Sequence, residues 1–364
     1  MPRERVLAPC LLGLTLAGIA CGSWPAAASP GPTADLQAPL PRGDRLLSID
    51  VNQASDGDYD SAFQLALQAG AQAVSLSLPW DALETAPGQY GPDPDYLTIA
   101  NAYYPASDTP LVLTLAPIDT NQLRLPADLS HLAFDDPRLI DRFNRMLADS
   151  FSRLPETQLI VLAIGNEIDA YLGGDPGMCA AYEEFFAATS SYARSLRPGL
   201  QVGTKATSGG LLGSSRRCLE AINRHSDAIL ATYYPLKGDF SVRPPSSAYQ
   251  DFAALASLAS GKPVYLLEVG YPSSRILGSS DALQAEFVRE VFRAWDAQAG
   301  QIRLVNFTWL HDISDEALAG FLDYYGLDSR RFAEFLGSLG LRSHDGRPKL
   351  AFLALEQEGA ARGW

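Results

Sequence analysis

Two glutamates carry the strongest chemical suggestion in this chain. Glu167 follows Asn166 directly after the apolar run Leu159-Ile160-Val161-Leu162-Ala163-Ile164-Gly165, and Glu268 ends the run Val264-Tyr265-Leu266-Leu267. A carboxyl group at the edge of an apolar strand is partly out of water, which favours its neutral form and fits it to donate a proton. A second, ionised carboxylate nearby fits the role of nucleophile. Each also has a plainer reading: Glu167 as a solvated loop carboxylate, Glu268 as the partner of Arg275 or Lys262 in a salt bridge.

Around these two, other strand ends bring groups suited to a hydroxyl-rich ligand. Trp80 and Trp309 offer flat apolar faces, Asn166 an amide, and the pair Tyr233-Tyr234 phenol groups. Of that pair, Tyr233 is the one expected to hydrogen-bond Glu268, with Tyr234 structural. Lys205 either binds an acidic sugar or faces solvent. Asp50, Asn52, Asp119, His311 and Asp312 complete the candidate rim, while Glu84, His131 and His344 read as structural or surface groups.

The elements that must position these groups alternate regularly. Strands are expected at Leu46–Asp50, Ala73–Leu78, Leu111–Leu115, Leu159–Gly165, Gln201–Thr204, Ala228–Thr232, Val264–Glu268 and Leu304–Trp309. Helices are expected near 60–69, 94–103, 136–153, 180–196, 214–224, 247–259, 281–299 and 329–338, with Gly340 to Trp364 packing the last helix under the barrel. Most strands are apolar on both faces, as in a parallel sheet covered by helices. Eight such units in one α/β domain, residues 44–364, match a (β/α)8 TIM barrel, whose chemistry gathers at the C-terminal strand ends. A doubly wound open sheet is the rival, but the first strand runs into Asp50-Val51-Asn52-Gln53 without a glycine-rich loop. In a barrel, strands four and seven lie on opposite sides of the mouth. Two carboxyl groups about 5–5.5 Å apart there can cleave a glycosidic bond with retention.

Several segments together resemble glycoside hydrolase clan A, the retaining (β/α)8 glycosidases. Ile164-Gly165-Asn166-Glu167-Ile168 is similar to the clan's strand-four motif, and Leu266-Leu267-Glu268-Val269-Gly270-Tyr271-Pro272 to its strand-seven motif. Ala231-Thr232-Tyr233-Tyr234-Pro235 looks like strand six of the endo-β-1,4-galactanase branch, and Phe307-Thr308-Trp309 resembles strand eight. The segments Trp80–Glu84, Pro87–Tyr90, Gly340-Leu341 and Asp345–Lys349 fit the same clan, including its cellulase-like branches, so the resemblance spans nearly all of 46–355. It implies Glu167 as acid/base, Glu268 as nucleophile, Asn166 at the sugar 2-hydroxyl, Trp309 as floor of the sugar site, and a Tyr supporting the nucleophile. The chain departs from the pattern on strand two. Where many members carry an Arg that supports the nucleophile, it reads Ser75-Leu76-Ser77-Leu78, and no His precedes the strand-six tyrosines.

Composition limits the alternatives. With 28 Lys+Arg against 42 Asp+Glu, the 364-residue chain has a net charge of −14, unsuited to nucleic acid. The chain lacks His-x-His, Cys-x-x-Cys, a P-loop and a Gly-x-Ser-x-Gly elbow, so no metal site, nucleotide or other cofactor is expected. Arg3, Arg5 and the apolar run from Val6 to Ala20 read as a signal peptide over residues 1–20 of a bacterial protein. Ala20-Cys21-Gly22 looks like a lipidation site, with ordinary cleavage nearby as the alternative. Residues 21–43, rich in Pro, Ala, Gly and Ser, read as a flexible tether. Cys179 and Cys218 stand near the starts of neighbouring helices, where export permits a disulfide; otherwise they are two buried thiols. The expected protein is a monomeric, exported, periplasmic or outer-membrane-anchored hydrolase of a β-linked polysaccharide or oligosaccharide, touching the membrane only through its lipid. A glycan-binding lipoprotein without activity and a transglycosylase that remodels an exported polysaccharide are the rivals.

Overall fold

The computed structural model describes residues 38–364. The leader, Cys21 and the tether up to residue 37 lie outside the described residues. Seven strands are continuous: Leu46–Ile49, Val74–Pro79, Leu111–Asp119, Leu159–Asn166, Ile229–Tyr233, Val264–Val269 and Ile302–Phe307. The fifth in chain order comes in two pieces, Gln201–Gly203 and Lys205–Thr207, either side of Thr204.

That break is where the fifth strand changes partners. Its first piece pairs with the fourth strand, Gln201 opposite Val161, and its second with the sixth, Lys205 opposite Leu230. The backbones come so close here that a Cβ on Gly203 would lie 2.7 Å from Leu230, so only glycine fits. The eighth strand pairs with the first, Leu304 opposite Leu46. The first meets the second where Ser48 faces Ala73, and the Ser48 hydroxyl donates to the Ala73 carbonyl at 2.8 Å. All eight junctions are parallel, and the ring is closed.

Strand parity divides the core in two. Val112, Val161, Ala163, Leu230, Leu267 and Leu304 fill the barrel interior. Their chain neighbours Leu111, Leu113, Leu162, Ile164, Ala231 and Val305 pack outward beneath the helices. Both faces are therefore apolar, which explains the unbroken hydrophobic runs in the sequence.

The helices Tyr59–Gln68, Tyr96–Tyr103, Pro137–Ser152, Pro176–Leu196, Arg216–Asn223, Ser247–Leu258 and Asp281–Ala297 follow the first seven strands. The eighth barrel helix is Leu350–Ala360, not the one expected near 329–338. It packs against Asp281–Ala297, and beyond it Trp364 stacks on Trp295 with ring centroids 4.9 Å apart. The helix expected near 329–338 does exist, as Arg330–Gly337, but with Asp315–Tyr325 it forms an excursion between the eighth strand and the last helix. The folded unit also starts a few residues earlier than 44. The Arg42 amide donates to the Arg362 carbonyl, and Arg45, ion-paired to Asp296 at 2.8 Å, holds the Leu40 carbonyl.

Cys179 and Cys218 are joined by a disulfide that links the helices Pro176–Leu196 and Arg216–Asn223 across 39 residues of chain. Constraining a loop of that length in the unfolded chain is worth about 4 kcal/mol in the chain-entropy account. No helix among the described residues is long and apolar enough to cross a membrane.

Candidate active site

Glu167 is delivered by simple alternation. Val161 and Ala163 face the barrel interior, so the same parity carries residue 167 over the mouth. The chain must turn sharply there. Gly165 has φ +85°, and a Cβ on it would stand 2.5 Å from both Ile168 and the Tyr182 hydroxyl. Glu167 itself is left-handed, at φ 44° and ψ 45°, a conformation costly for a residue with a Cβ. Its carboxylate accepts from Thr232 Oγ1 at 2.6 Å and Thr120 Oγ1 at 3.0 Å. Burial and then the neighbouring Glu268 push its pKa up to about 7.

Glu268 reaches the mouth by a different device. Tyr265 and Leu267 face inward, so alternation alone would turn residue 268 out toward the helices. Instead the seventh strand carries a bulge: Ala231 faces Leu266, but the next residue, Thr232, faces Glu268. The extra residue turns Leu267 and Glu268 inward together, and Val269 resumes the outward face. The Glu268 carboxylate then accepts from Lys205 Nζ and Tyr234 Oη, each at 2.8 Å. Lys205 is 4% exposed. Burial lowers its pKa, but Glu268, Glu167 and Asp50 more than offset this and the net direction is upward, so the ammonium is retained.

Both carboxylates line one cavity of about 420 Å³ with Thr120, Thr207, Thr232, Tyr234 and Trp309. Half-buried Asp50 accepts from Asn306 at 2.7 Å and Thr308 at 2.8 Å; desolvation is the main cause that raises it to about 6. Asn166 Nδ2 donates to Asp119 at 2.6 Å, while its Oδ1 is buried without a partner. Asp119 also accepts from Tyr324 at 2.7 Å, which ties the strand-three end to the excursion. Trp309 is partly exposed in the cavity and stacks on Phe321, with centroids 5.8 Å apart.

Three expected site residues lie elsewhere or act differently. Tyr233 faces outward and donates to Asp251 at 2.8 Å, so it is Tyr234 that holds Glu268. Parity would have revealed this: Leu230 is inward, hence so are Thr232 and Tyr234. Trp80 is fully buried against Phe143, with Nε1 on Glu84 at 2.8 Å, and contacts no ligand space. Lys205 neither faces solvent nor is free for an acidic sugar; it is the ion-pair partner of Glu268. Arg275 and Lys262 do not fill that place, for Lys262 instead holds the Asn223 and Ser226 carbonyls. Asn52 and His311 are bonded to each other, and Asp312 to Lys349 at 2.7 Å. Thr120, Thr207, Thr232 and the aromatic excursion went unrecognised in the sequence. Among the described residues, no three His, Cys, Asp or Glu side chains group as a metal site.

No protein-family model and no curated protein sequence matches the chain. Solved structures do. An exo-β-1,4-mannosidase from Opitutaceae bacterium strain TAV5 superposes with a TM-score of 0.68 at 17% identity, over 91% of this chain and 62% of that one. A GH5_18 protein from Streptomyces cattleya, solved with Manβ1-4GlcNAc, gives 0.68 at 17%, over 88% of this chain and 81% of the other. A family 39 glycoside hydrolase from Bacteroides cellulosilyticus WH2 gives 0.61 at 14%, over 88% and 65%. The chain spans 62% of the length of the mannosidase. Its fold is therefore a (β/α)8 barrel like those of these glycoside hydrolases.

Proposed function

We propose that the protein is a retaining β-glycosidase in which Glu268 is the nucleophile and Glu167 the acid/base. One observation carries this reading: two carboxylates share one cavity, one pinned by a cation and a phenol, the other held by two hydroxyls with its pKa near 7. Glu268 attacks the anomeric carbon while Glu167 gives its proton to the departing oxygen, and the glycosyl ester of Glu268 forms as the glycosidic bond breaks. Water then enters; Glu167 takes one of its protons, and the hydroxide oxygen displaces Glu268. The amide of Asn166 and the indole of Trp309 meet the glycone, and Lys205 and Tyr234 orient the nucleophile. The β-mannoside named for the Streptomyces cattleya neighbour supports a β-linked glycone here. The enzyme works outside the cytoplasm, anchored through a lipid on Cys21; the leader-like start and the Cys179–Cys218 bridge support that placement.

The test is a trapping experiment. A panel of 2-deoxy-2-fluoro-β-glycosyl fluorides is incubated with the protein, and the digested product is weighed. A glycosyl adduct on the peptide that carries Glu268 is expected. An adduct elsewhere, or an inverted first product from a turned-over substrate, overturns the assignment.

A further inference from the structure

The cavity has two chemically opposite halves. Its floor, built from strand ends, presents the carboxylates of Glu167 and Glu268 and the hydroxyls of Thr120, Thr207, Thr232 and Tyr234. Its roof is built from the excursion Asp315–Tyr325 and Arg330–Gly337 together with the loop after the sixth strand. The roof is mostly carbon: Phe240, Phe321, Leu327, Phe332, Phe335 and Leu336 line the space with the Tyr325 hydroxyl, and Asn121 and Ser208 are the further polar residues of the lining.

The roof is also fastened on several sides. Asn121 Nδ2 holds the Tyr325 carbonyl at 3.0 Å, and Tyr324 bonds Asp119 at 2.7 Å. Ser274 bonds Glu334 at 2.6 Å, and the Phe240 and Phe332 rings meet at 5.2 Å. It is a fastened wall of the cavity that holds the reacting groups, with its own small core of Phe332, Phe335, Leu336 and Leu339.

A glycosidase breaks a bond at an anomeric carbon, so one of the two groups it holds is a sugar by definition. That group needs hydroxyl partners, and the floor has them. The other group is the alcohol that leaves, which chemistry leaves unrestricted. A second sugar against this roof would set hydroxyls against phenyl and alkyl groups with few partners to bond them, since the Asn121 amide is already taken by the Tyr325 carbonyl and Gln122. Resting on the glycosidase reading, we propose that the leaving group is apolar: the substrates are β-glycosides of aryl or alkyl alcohols rather than of another sugar. The products are the free sugar and the apolar alcohol, whose hydroxyl proton comes from Glu167.

Four kinds of substrate with the same glycone separate the possibilities, over a panel of glycones. A β-glycosyl fluoride has no organic leaving group, so it reports the two-carboxylate chemistry without the roof. An octyl β-glycoside and a β-1,4-disaccharide both release unactivated aliphatic hydroxyls, the sugar's being the better leaving group, so a preference for octyl reads the roof and not the leaving ability; a phenyl β-glycoside tells aryl from alkyl preference. The expected result is fluoride turnover together with a kcat/KM at least about tenfold higher for octyl than for disaccharide, the factor that 1.4 kcal/mol of differential binding gives. Leu327→Asn, at a position 40% exposed and so tolerant of a polar side chain, should lower octyl hydrolysis at least tenfold more than fluoride hydrolysis. Leu336→Asn should do the same. Fluoride turnover with a preference for the disaccharide would overturn the apolar leaving group and leave the glycosidase standing. No fluoride turnover on any glycone would remove both.

Discussion

The two glutamates have the same side chain, the same cavity and opposite surroundings. Glu167 sits on a left-handed turn and accepts from two neutral hydroxyls. Glu268 sits on a bulge and accepts from a buried ammonium and a phenol. Two carboxylates this closely coupled resist double ionisation, so the proton settles on whichever has less to hold its charge. The cation Lys205 bonds Glu268, and Glu167 is left to carry the proton. On the proposed assignment, environment, not residue type, divides acid from nucleophile. The missing strand-two Arg fits the same logic, because Lys205 on the fifth strand brings a positive charge to the same carboxylate from another side of the ring.

The largest effect expected follows from removing the charged partner. Glu268→Gln keeps the shape and loses the nucleophile, so kcat should fall on the order of 10⁴-fold or more, measured on an activated aryl glycoside. Glu167→Gln should cost less, about 10²- to 10⁴-fold, and least on leaving groups that need no proton. Comparable losses from the two variants on an activated substrate would break the asymmetry. Glu167 also predicts a pH dependence. The acid must be protonated, so wild-type kcat/KM should decline as pH rises through about 7. The same shift acts on stability with a defined sign. A carboxyl whose pKa is 4.5 when unperturbed and about 7 when folded binds its proton more tightly in the native state. The native state therefore loses stability between those pH values, by up to about 3 kcal/mol once fully ionised. Glu167→Gln should be more stable than wild type at pH 8 and nearly equal at pH 4, by denaturant titration at each pH.

Lys205→Met sharpens the comparison by taking away the cation alone. Glu268 would keep one hydrogen bond and lose its counter-charge, and breaking a buried pair costs about 3–5 kcal/mol. A loss in kcat of roughly 10²- to 10³-fold is expected, because Glu268 loses the group that holds and orients it. A loss confined to KM would place Lys205 on the substrate and not on Glu268.

What the sequence made legible follows from what kind of rule sets each feature. Eight apolar runs and their spacing disclose the barrel because burial on both faces leaves a one-dimensional trace. Glu167 obeys strand alternation and is equally legible. Glu268 does not, since Val264–Val269 contains an insertion relative to its neighbours that no pattern of hydrophobicity marks. Its place at the end of an apolar run was readable, but that it turns inward was not. Trp80 misleads because an indole at a strand end looks like a sugar platform until Glu84, four residues on, takes its N–H at 2.8 Å. Lys205 misleads for the converse reason: a charged residue in a strand suggests solvent, and its partner lies 63 residues away in the chain. The roof was illegible because Asp315–Tyr325 and Arg330–Gly337 carry ordinary helical patterns whose apolar faces serve a cavity instead of the barrel wall.

The tyrosine pair gives the smallest and cleanest contrast. Tyr233 and Tyr234 are adjacent, share a side-chain type and differ only in parity, so one phenol points out of the barrel and the next points in. Tyr233 joins Asp251, which Arg243 also holds at 2.8 Å, and this is a contact of the outer shell. Tyr234 donates to the nucleophile, and a hydrogen bond to a charged group contributes about 1.5–3 kcal/mol. Tyr234→Phe should therefore lower kcat/KM about tenfold to a hundredfold with the fold intact by circular dichroism. Tyr233→Phe should change kcat/KM less than about twofold and cost on the order of 1 kcal/mol of stability. The reverse pattern would mean that the sixth strand is shifted by one residue relative to the seventh. Thr232 would then no longer face Glu268 or reach Glu167, and the hydroxyl that separates the two carboxylates' environments would be lost with it.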